Sequence, residues 1–311
     1  IILGAMTFAA ILPFGLLLHK GGPFWISMMY LAPVVTLWGV PLLATGTVMW
    51  RKISDTKLAG SRTAGTALGI LGLLITLSGM LLAWPNPASI CPAAFLTFVI
   101  LTLLAIALEI PVAHLLASGC FALAYLVLFH VLAGNVEWQN WRVTSLIDAT
   151  LQISSGQALT GVFALFVVAS EWLRKRSRNS VGTCYLIAAG SVAVVSLGSV
   201  TAFGPIAGNQ LQTVYLIYLI YAISAIWFAL RYQQQFFTYV GSALFLFTLA
   251  SGFAWNTDLS FPWQTALLVH ASICAVTAIA SSRRIELRPL TGPLNQAALI
   301  WSVLALLSMF Q

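Results

Sequence analysis

The sequence predicts an all-α fold, a polytopic bundle of transmembrane helices. Hydrophobic residues make up 60% of the 311 residues and charged residues 7%, whereas soluble domains carry about 25% charged residues. Apolar runs of about 20 residues, the length that crosses a bilayer, recur from one end of the sequence to the other. Backbone amides in lipid must be paired within their own segment, and the runs lack the alternation of barrel strands. The spans are therefore expected to be helices.

About eleven spans are predicted from the apolar runs and from the Pro, Gly and charged residues that bound them. They cover residues 1–18, 24–50, 64–84, 93–108, 112–133, 155–173, 181–203, 211–230, 236–254, 264–281 and 293–310. The first 18 residues lack a basic leading segment, so we count them as a span and not as a signal peptide. The whole chain, 1–311, is expected to form one integral membrane domain.

The stretch LAIALEIPVAHLLASGC, within residues 93–133, decides how the chain is threaded. Without a break, residues 93–133 would form a helix about 60 Å long, twice the hydrocarbon thickness. A turn at Glu109 and Pro111 places 12 of the 14 Lys and Arg on one side of the membrane, whereas an unbroken helix divides them 5 against 9. Because Lys and Arg concentrate in short cytoplasmic loops, the turn is favoured. Glu109, Pro111 and His114 are therefore predicted to shape a hairpin and not to carry protons.

This threading also predicts orientation and location. The basic loops are expected in the cytoplasm and both chain ends on the non-cytoplasmic side, with Lys20 and Arg142 as the two exceptions among the basic residues. A bacterial inner membrane or another energy-transducing membrane is the expected location. The net charge of +7 is then a signature of membrane orientation, and no nucleic-acid partner is expected. The expected partners are the lipid bilayer and, as a second class, other membrane subunits.

Polar residues in the longest outer connection predict a surface-lying helix. Thr144, Asp148, Gln152 and Ser155 follow each other at spacings of four, four and three, which places them on one helical stripe. The opposite side carries the apolar residues Ile147, Leu151 and Ile153. We expect an amphipathic helix over 142–154. It is either a plain connector or an outer vestibule in which Asp148 and Gln152 lie on the substrate path, with Glu137 the other acid nearby.

Two further features are candidates for a substrate path. Tyr215, Tyr218 and Tyr221 are three residues apart and share one broad helix face, and their hydroxyl groups need partners in lipid. This face is typical of core packing, and as a cavity wall it would suit a neutral or aromatic solute better than an ion. Pro33 and Pro41 lie within one long span, where proline frees backbone carbonyl groups that can kink the helix or bind a ligand.

Two histidines are candidates for binding haem or a metal ion. His130 and His270 lie at comparable depths in different predicted spans, and neutral imidazole is a common metal ligand. The alternative is that each is a hydrogen-bonded packing residue. The four cysteines, Cys91, Cys120, Cys184 and Cys274, occur singly and are interpreted as small buried residues.

The motifs that are missing limit the function classes. The sequence contains no P-loop, HExxH, GxSxG or dinucleotide-binding fingerprint, so neither ATP-driven transport nor a familiar hydrolase is supported within this chain, and an enzyme is not the favoured class. No predicted span has a carboxylate near its centre. Three functions remain open. They are a transporter or channel-like protein for a small solute, a non-catalytic subunit, scaffold or anchor of a membrane complex, and a redox or haem-binding protein at the outer face.

Overall fold

The structure, a computed structural model, describes residues 24–52, 59–139, 142–203, 211–256 and 261–308. These residues form helices joined by short connections, with no β-strand among them. The chain divides into two compact units, Ile1–Val194 and Val195–Gln311. Each unit contains buried apolar clusters of its own.

The helices are numbered in chain order over the described residues. The first unit contains α1 (Phe24–Lys52), α2 (Ala59–Leu82), α3 (Pro87–Leu108), α4 (Pro111–Leu132), the short α5 (Val143–Thr150), α6 (Ile153–Lys175) and most of α7 (Asn179–Phe203). The second unit contains the end of α7, then α8 (Leu211–Tyr232), α9 (Gln235–Asn256), α10 (Pro262–Ser282), a 3₁₀ turn (Ile285–Leu287) and α11 (Arg288–Ser308).

Ten helices in the described part of the chain are long and apolar enough to cross a bilayer. They correspond to the second through eleventh predicted spans, so the prediction of an all-α, polytopic transmembrane bundle is confirmed. The predicted first span, 1–18, and both chain ends lie outside the described residues. Many large apolar side chains are exposed along these helices, including Leu132 at 78% and Val194 at 72%, as expected for surfaces that contact lipid.

The helices of three predicted spans begin five or six residues before the predicted start. The span predicted from 64 lies in a helix that begins at Ala59, and in the other two cases the predicted start is at a proline or directly after one. The spans predicted to begin at 93 and 293 begin instead at Pro87 and Arg288, and their helices run through Pro92 and Pro293. A proline at position 293 cannot donate a hydrogen bond to the carbonyl of Pro289. The hydroxyl of Thr238 donates to that carbonyl at 3.0 Å, so the helix continues without a buried, unpaired acceptor.

The turn between α3 and α4 lies at the predicted position. The chain leaves α3 through Glu109, which has a left-handed backbone with φ of 56°, and Ile110 is extended before Pro111. Residues that precede proline favour this extended geometry, and proline fits the first position of a helix. The amide of Ile110 donates to the carbonyl of Ala105 at 3.1 Å. Glu109 is exposed at this turn.

Glycines allow α1 and α2 to approach each other at backbone distance. A Cβ atom placed on Gly72 would lie 2.8 Å from the carbonyl oxygen of Gly39, and one on Gly46 would lie 2.7 Å from the carbonyl oxygen of Gly65. Gly39 and Gly46, like Gly65 and Gly72, are seven residues apart, so they recur on one face of each helix. Gly69 differs, because a Cβ atom there would meet nothing within 4 Å.

Candidate functional site

His130 is a fully enclosed side chain near the end of α4 in the first unit. Its Nδ1 accepts a hydrogen bond from the side-chain amide of Asn135 at 3.1 Å, because an amide NH₂ group can only donate. The Nε2 atom therefore carries the hydrogen and donates it to the hydroxyl of Ser155 at 2.7 Å. Ser155 in turn donates to the carbonyl of Ala149 at 3.1 Å.

This network joins α4, the following connection, α5 and α6. Both ring nitrogens of His130 are engaged, so neither is open to a metal ion or a haem iron in this arrangement. A buried polar network whose members are all paired makes the local structure rigid. The geometry at His130 is that of a structural residue.

His270 is equally enclosed but has a different environment, in the second unit. It is the ninth of the 21 residues of α10, close to the middle of the span. The imidazole contacts two aromatic rings, and its centroid is 5.9 Å from that of Phe245 and 6.1 Å from that of Trp301. Its Nε2 is 3.3 Å from the hydroxyl of Ser242 on α9 and 3.5 Å from the sulfur of Cys274.

These contacts are long compared with those of His130, and Nδ1 lies 3.9 Å from the same Cys274 sulfur. Cys274 follows His270 by four residues, which brings the two side chains to the same face of α10. Ser242 reaches them from α9. The sequence places His270 and Cys274 together, but the contribution of Ser242 comes from the packing of α9 against α10.

His270, Ser242 and Cys274 border a cavity of about 290 Å³ that lies wholly in the second unit. Its other walls are mainly apolar and come from α8, α9, α10 and α11. They include Ala222, Ile223, Ile226, Phe245, Ile273 and Leu294. Ile223 and Ile273 are also 61% and 40% exposed, so the cavity opens at the surface of the unit. An apolar pocket with a few convergent polar groups is the usual form of a small-molecule site.

The three predicted tyrosines pack against neighbouring helices in the same unit. The hydroxyl of Tyr218 lies 2.8 Å from that of Thr201 at the end of α7, and its ring stacks on Phe247 of α9. The ring of Tyr215 lies 3.2 Å from the position of a Cβ atom on Gly252. Tyr221 is buried and directly precedes Ala222, the first residue of α8 that lines the cavity. Their role in a substrate path stays a prediction.

The predicted outer stripe is divided between two helices. Helix α5 ends at Thr150, and Gln152 precedes the first residue of α6. Asp148 and Gln152 are exposed, as is Glu137, whereas Ser155 is buried in the His130 network. The four polar residues therefore do not form one continuous helical face, because a new helix begins within the segment. The buried contacts of α5 come from Leu146 and Ala149.

The remaining predicted residues lie in the first unit. Pro33 and Pro41 lie inside α1, which runs unbroken over 29 residues. Pro111 begins α4, and His114 lies one turn later, buried, with its ring centroid 5.7 Å from that of Tyr185. Within the described residues, Nδ1 of His114 has no hydrogen-bond partner.

Comparison with protein-family models, with curated proteins and with solved structures finds no match. Within the described part of the chain, no group of three or more His, Cys, Asp and Glu residues forms a metal-binding cluster. The residues of this candidate site that sequence reasoning did not single out are Ser242 and Cys274. The spacing of His270 and Cys274, four residues apart in one span, is a sequence signal for two of its three polar residues.

Proposed function

We propose that this protein is a membrane carrier for a small, uncharged, amphiphilic solute, and that the cavity beside His270 binds it. One observation carries the proposal: a mainly apolar cavity of about 290 Å³ lies near mid-span with a polar corner formed by His270, Ser242 and Cys274. At about 30 Å³ per water molecule, this space corresponds to roughly ten waters. It suits a molecule the size of one substituted aromatic ring.

The lining chemistry favours an uncharged solute. None of the residues that line the cavity carries a formal charge, and an unpaired ion in apolar surroundings is strongly disfavoured. A solute with an apolar body and one polar head crosses a bilayer slowly, because its head must lose its hydrogen bonds to water. Hydrogen bonds from the polar corner would replace those bonds midway across the membrane.

Benzamide and benzoate form a matched pair of probes, because they share shape and size but only benzoate is charged. We expect benzamide to raise the Tm of the purified protein by mass action and benzoate to leave it unchanged. In proteoliposomes, the protein should accelerate the efflux of labelled benzamide above the rate of protein-free vesicles. Equal responses to the two probes would contradict the proposal.

Two phenylalanine substitutions on α10 locate the binding site. Thr277 lines the cavity and is half-buried, so Thr277→Phe fills the space without disturbing the fully buried core. Ser272 is exposed on the same helix and makes the same kind of hydroxyl-to-carbonyl hydrogen bond within the helix. Thr277→Phe should abolish the benzamide response and Ser272→Phe should retain it. A response that survives Thr277→Phe would place the solute elsewhere.

A further inference from the structure

We propose that the first unit binds one acyl chain of an anionic phospholipid in an apolar groove between α1, α2 and α3. The groove consists of a cavity of about 310 Å³ bordered by all three helices and a cavity of about 220 Å³ between α1 and α3. Leu43, Thr47 and Leu104 line both cavities, so the two spaces adjoin each other. This groove shares no residue with the proposed solute site, and the inference is independent of that function.

The lining of the groove suits a hydrocarbon chain. Among the described residues that border it, most are aliphatic residues or glycine and none is charged. The lining hydroxyl groups belong to Thr47 and Thr66, and that of Thr47 already donates to the carbonyl of Ala44 at 2.8 Å. Ile70 and Leu103 border the groove and are 56% and 62% exposed. The groove therefore opens toward the lipid that surrounds the spans.

The length of the groove matches the depth of one bilayer leaflet. Its lining runs along α1 from Val40 to Trp50, and along α3 from Ile100 to Ile110 in the turn that follows. Ten residue steps of an α-helix rise about 15 Å, which is half of the hydrocarbon thickness of about 30 Å. Trp50 is exposed at the end of the groove, and tryptophan is enriched at the boundary between hydrocarbon and headgroups. A groove from this boundary to mid-membrane has the depth of one acyl chain.

Dispersion contacts explain why a chain fills the groove, and they do not explain which lipid it belongs to. An empty apolar groove leaves the atoms of its walls without partners, so dispersion energy is lost. An acyl chain that moves from bulk lipid into the groove gains no hydrophobic energy, because both surroundings are hydrocarbon. The headgroup must therefore supply the selectivity.

The charges at the same end of the three helices favour an anionic headgroup. In the sequence, Trp50 is followed by Arg51 and Lys52, the last two residues of α1, and Arg62 lies in the first turn of α2. Glu109 directly follows α3 and is exposed. Three positive charges thus accompany one negative charge at these described helix ends. Basic residues at a membrane surface attract anionic lipids.

The test measures the Tm of the purified, delipidated protein in neutral detergent micelles that contain one added lipid. Dioleoyl phosphatidylglycerol is anionic, and dioleoyl phosphatidylcholine has the same chains without a net charge. Dihexanoyl phosphatidylglycerol has the anionic headgroup with chains too short to fill the groove. We expect dioleoyl phosphatidylglycerol to raise the Tm by mass action, and each of the other two lipids to raise it less. Equal rises with either of these two lipids would overturn the proposal.

Two glycine substitutions locate the acyl chain. Gly69 lines the groove, and a Cβ atom there would meet nothing within 4 Å, so Gly69→Leu fills the space without displacing another helix. A Cβ atom on Gly119 of α4 would also meet nothing within 4 Å, and Gly119 is exposed outside the groove, so Gly119→Leu is the matched control. Gly69→Leu should lose most of the rise in Tm with dioleoyl phosphatidylglycerol, and Gly119→Leu should retain it. A full rise in Gly69→Leu would contradict the proposal.

A count of bound lipids gives a second readout. In native mass spectrometry, the wild type and Gly119→Leu should retain one more phosphatidylglycerol per protein than Gly69→Leu, and equal numbers would overturn the proposal. The Tm of each lipid-free variant shows whether it is folded. If Gly69→Leu does not fold, Ala44→Phe takes its place, because Ala44 lines the groove from an exposed position on α1. The same outcomes then decide.

Discussion

His130 and His270 are the same kind of residue in the same degree of burial, both at 0% exposure, yet their surroundings differ. His130 has a short hydrogen bond at 2.7 Å and a second at 3.1 Å, and both ring nitrogens are satisfied. His270 has contacts of 3.3 Å or longer and borders a cavity. Equal burial therefore accompanies different hydrogen bonding, and the length of their hydrogen bonds is what distinguishes the two histidines.

A similar contrast exists between two local regions of the molecule. Along part of their contact, α1 and α2 meet through glycines at backbone distance, although the first unit also has a cavity of about 310 Å³ bordered by α1, α2 and α3. In the second unit, α8, α9, α10 and α11 leave the cavity beside His270 between them. Close packing resists added volume, whereas a cavity accepts it. Substitutions at the glycine contact and at the cavity are expected to respond accordingly.

The largest effect is expected from Gly72→Val in the first unit. The new side chain would meet the backbone of α1 at Gly39, which cannot move without separating the helices. We expect a loss of about 3 kcal/mol in the free energy of unfolding, measured by denaturant titration in detergent. Gly69→Val on the same helix is the control, because its Cβ position is open, and it should cost less than about 1 kcal/mol. Equal losses would mean that the glycine contact is not tight.

The next largest effect is expected when alanine replaces each of the two buried histidines, His130 and His270, in turn. His130→Ala removes two hydrogen bonds and leaves a void, so we expect a loss of about 2 kcal/mol in the free energy of unfolding. His270→Ala removes only long contacts and enlarges an existing cavity, so a loss of about 1 kcal/mol is expected. The same denaturant titration measures both. If His270→Ala lost more free energy of unfolding than His130→Ala, His270 would be the histidine that stabilises the fold, which would contradict this prediction.

The smallest effect is expected from Thr238→Val, which tests whether the second unit also contains closed polar contacts. The variant leaves the carbonyl of Pro289 without its donor and should cost about 1 kcal/mol. On a Pro293→Ala background the alanine amide can donate to that carbonyl within the helix, so the same change should cost close to nothing. A double-mutant cycle measures the difference. An unchanged cost on the Pro293→Ala background would show that the hydroxyl bond does not compensate for the proline.

The sequence predicted the spans well because hydrocarbon thickness imposes a length that composition reveals directly. The turn at Glu109 was found because Lys and Arg had to be distributed between two sides. Boundaries near Pro92 and Pro293 were misplaced, since the hydroxyl that compensates for Pro293 comes from Thr238, 51 residues from its carbonyl partner Pro289. Such compensation has no local sequence signal.

The candidate site was predicted only in part for a similar reason. His270 stood out as a polar residue within a span, and Cys274 follows it at one helical turn. Ser242 and the aromatic rings of Phe245 and Trp301 come from other helices, so their proximity depends on tertiary packing. The helix predicted around Asp148 is too long, because a break separates α5 from α6 within it. The polar residues keep a helical spacing across this break, so their spacing does not reveal it.

The cavity opens beside the exposed side chains of Ile223 and Ile273. Under the proposed function, a solute that partitions into lipid would reach this opening from within the bilayer, where it is enriched over the aqueous phase. The occupancy of the cavity then depends on moles of solute per mole of lipid. An apparent Kd referred to the aqueous concentration should therefore rise as lipid is added at fixed protein, while a Kd expressed per lipid stays constant.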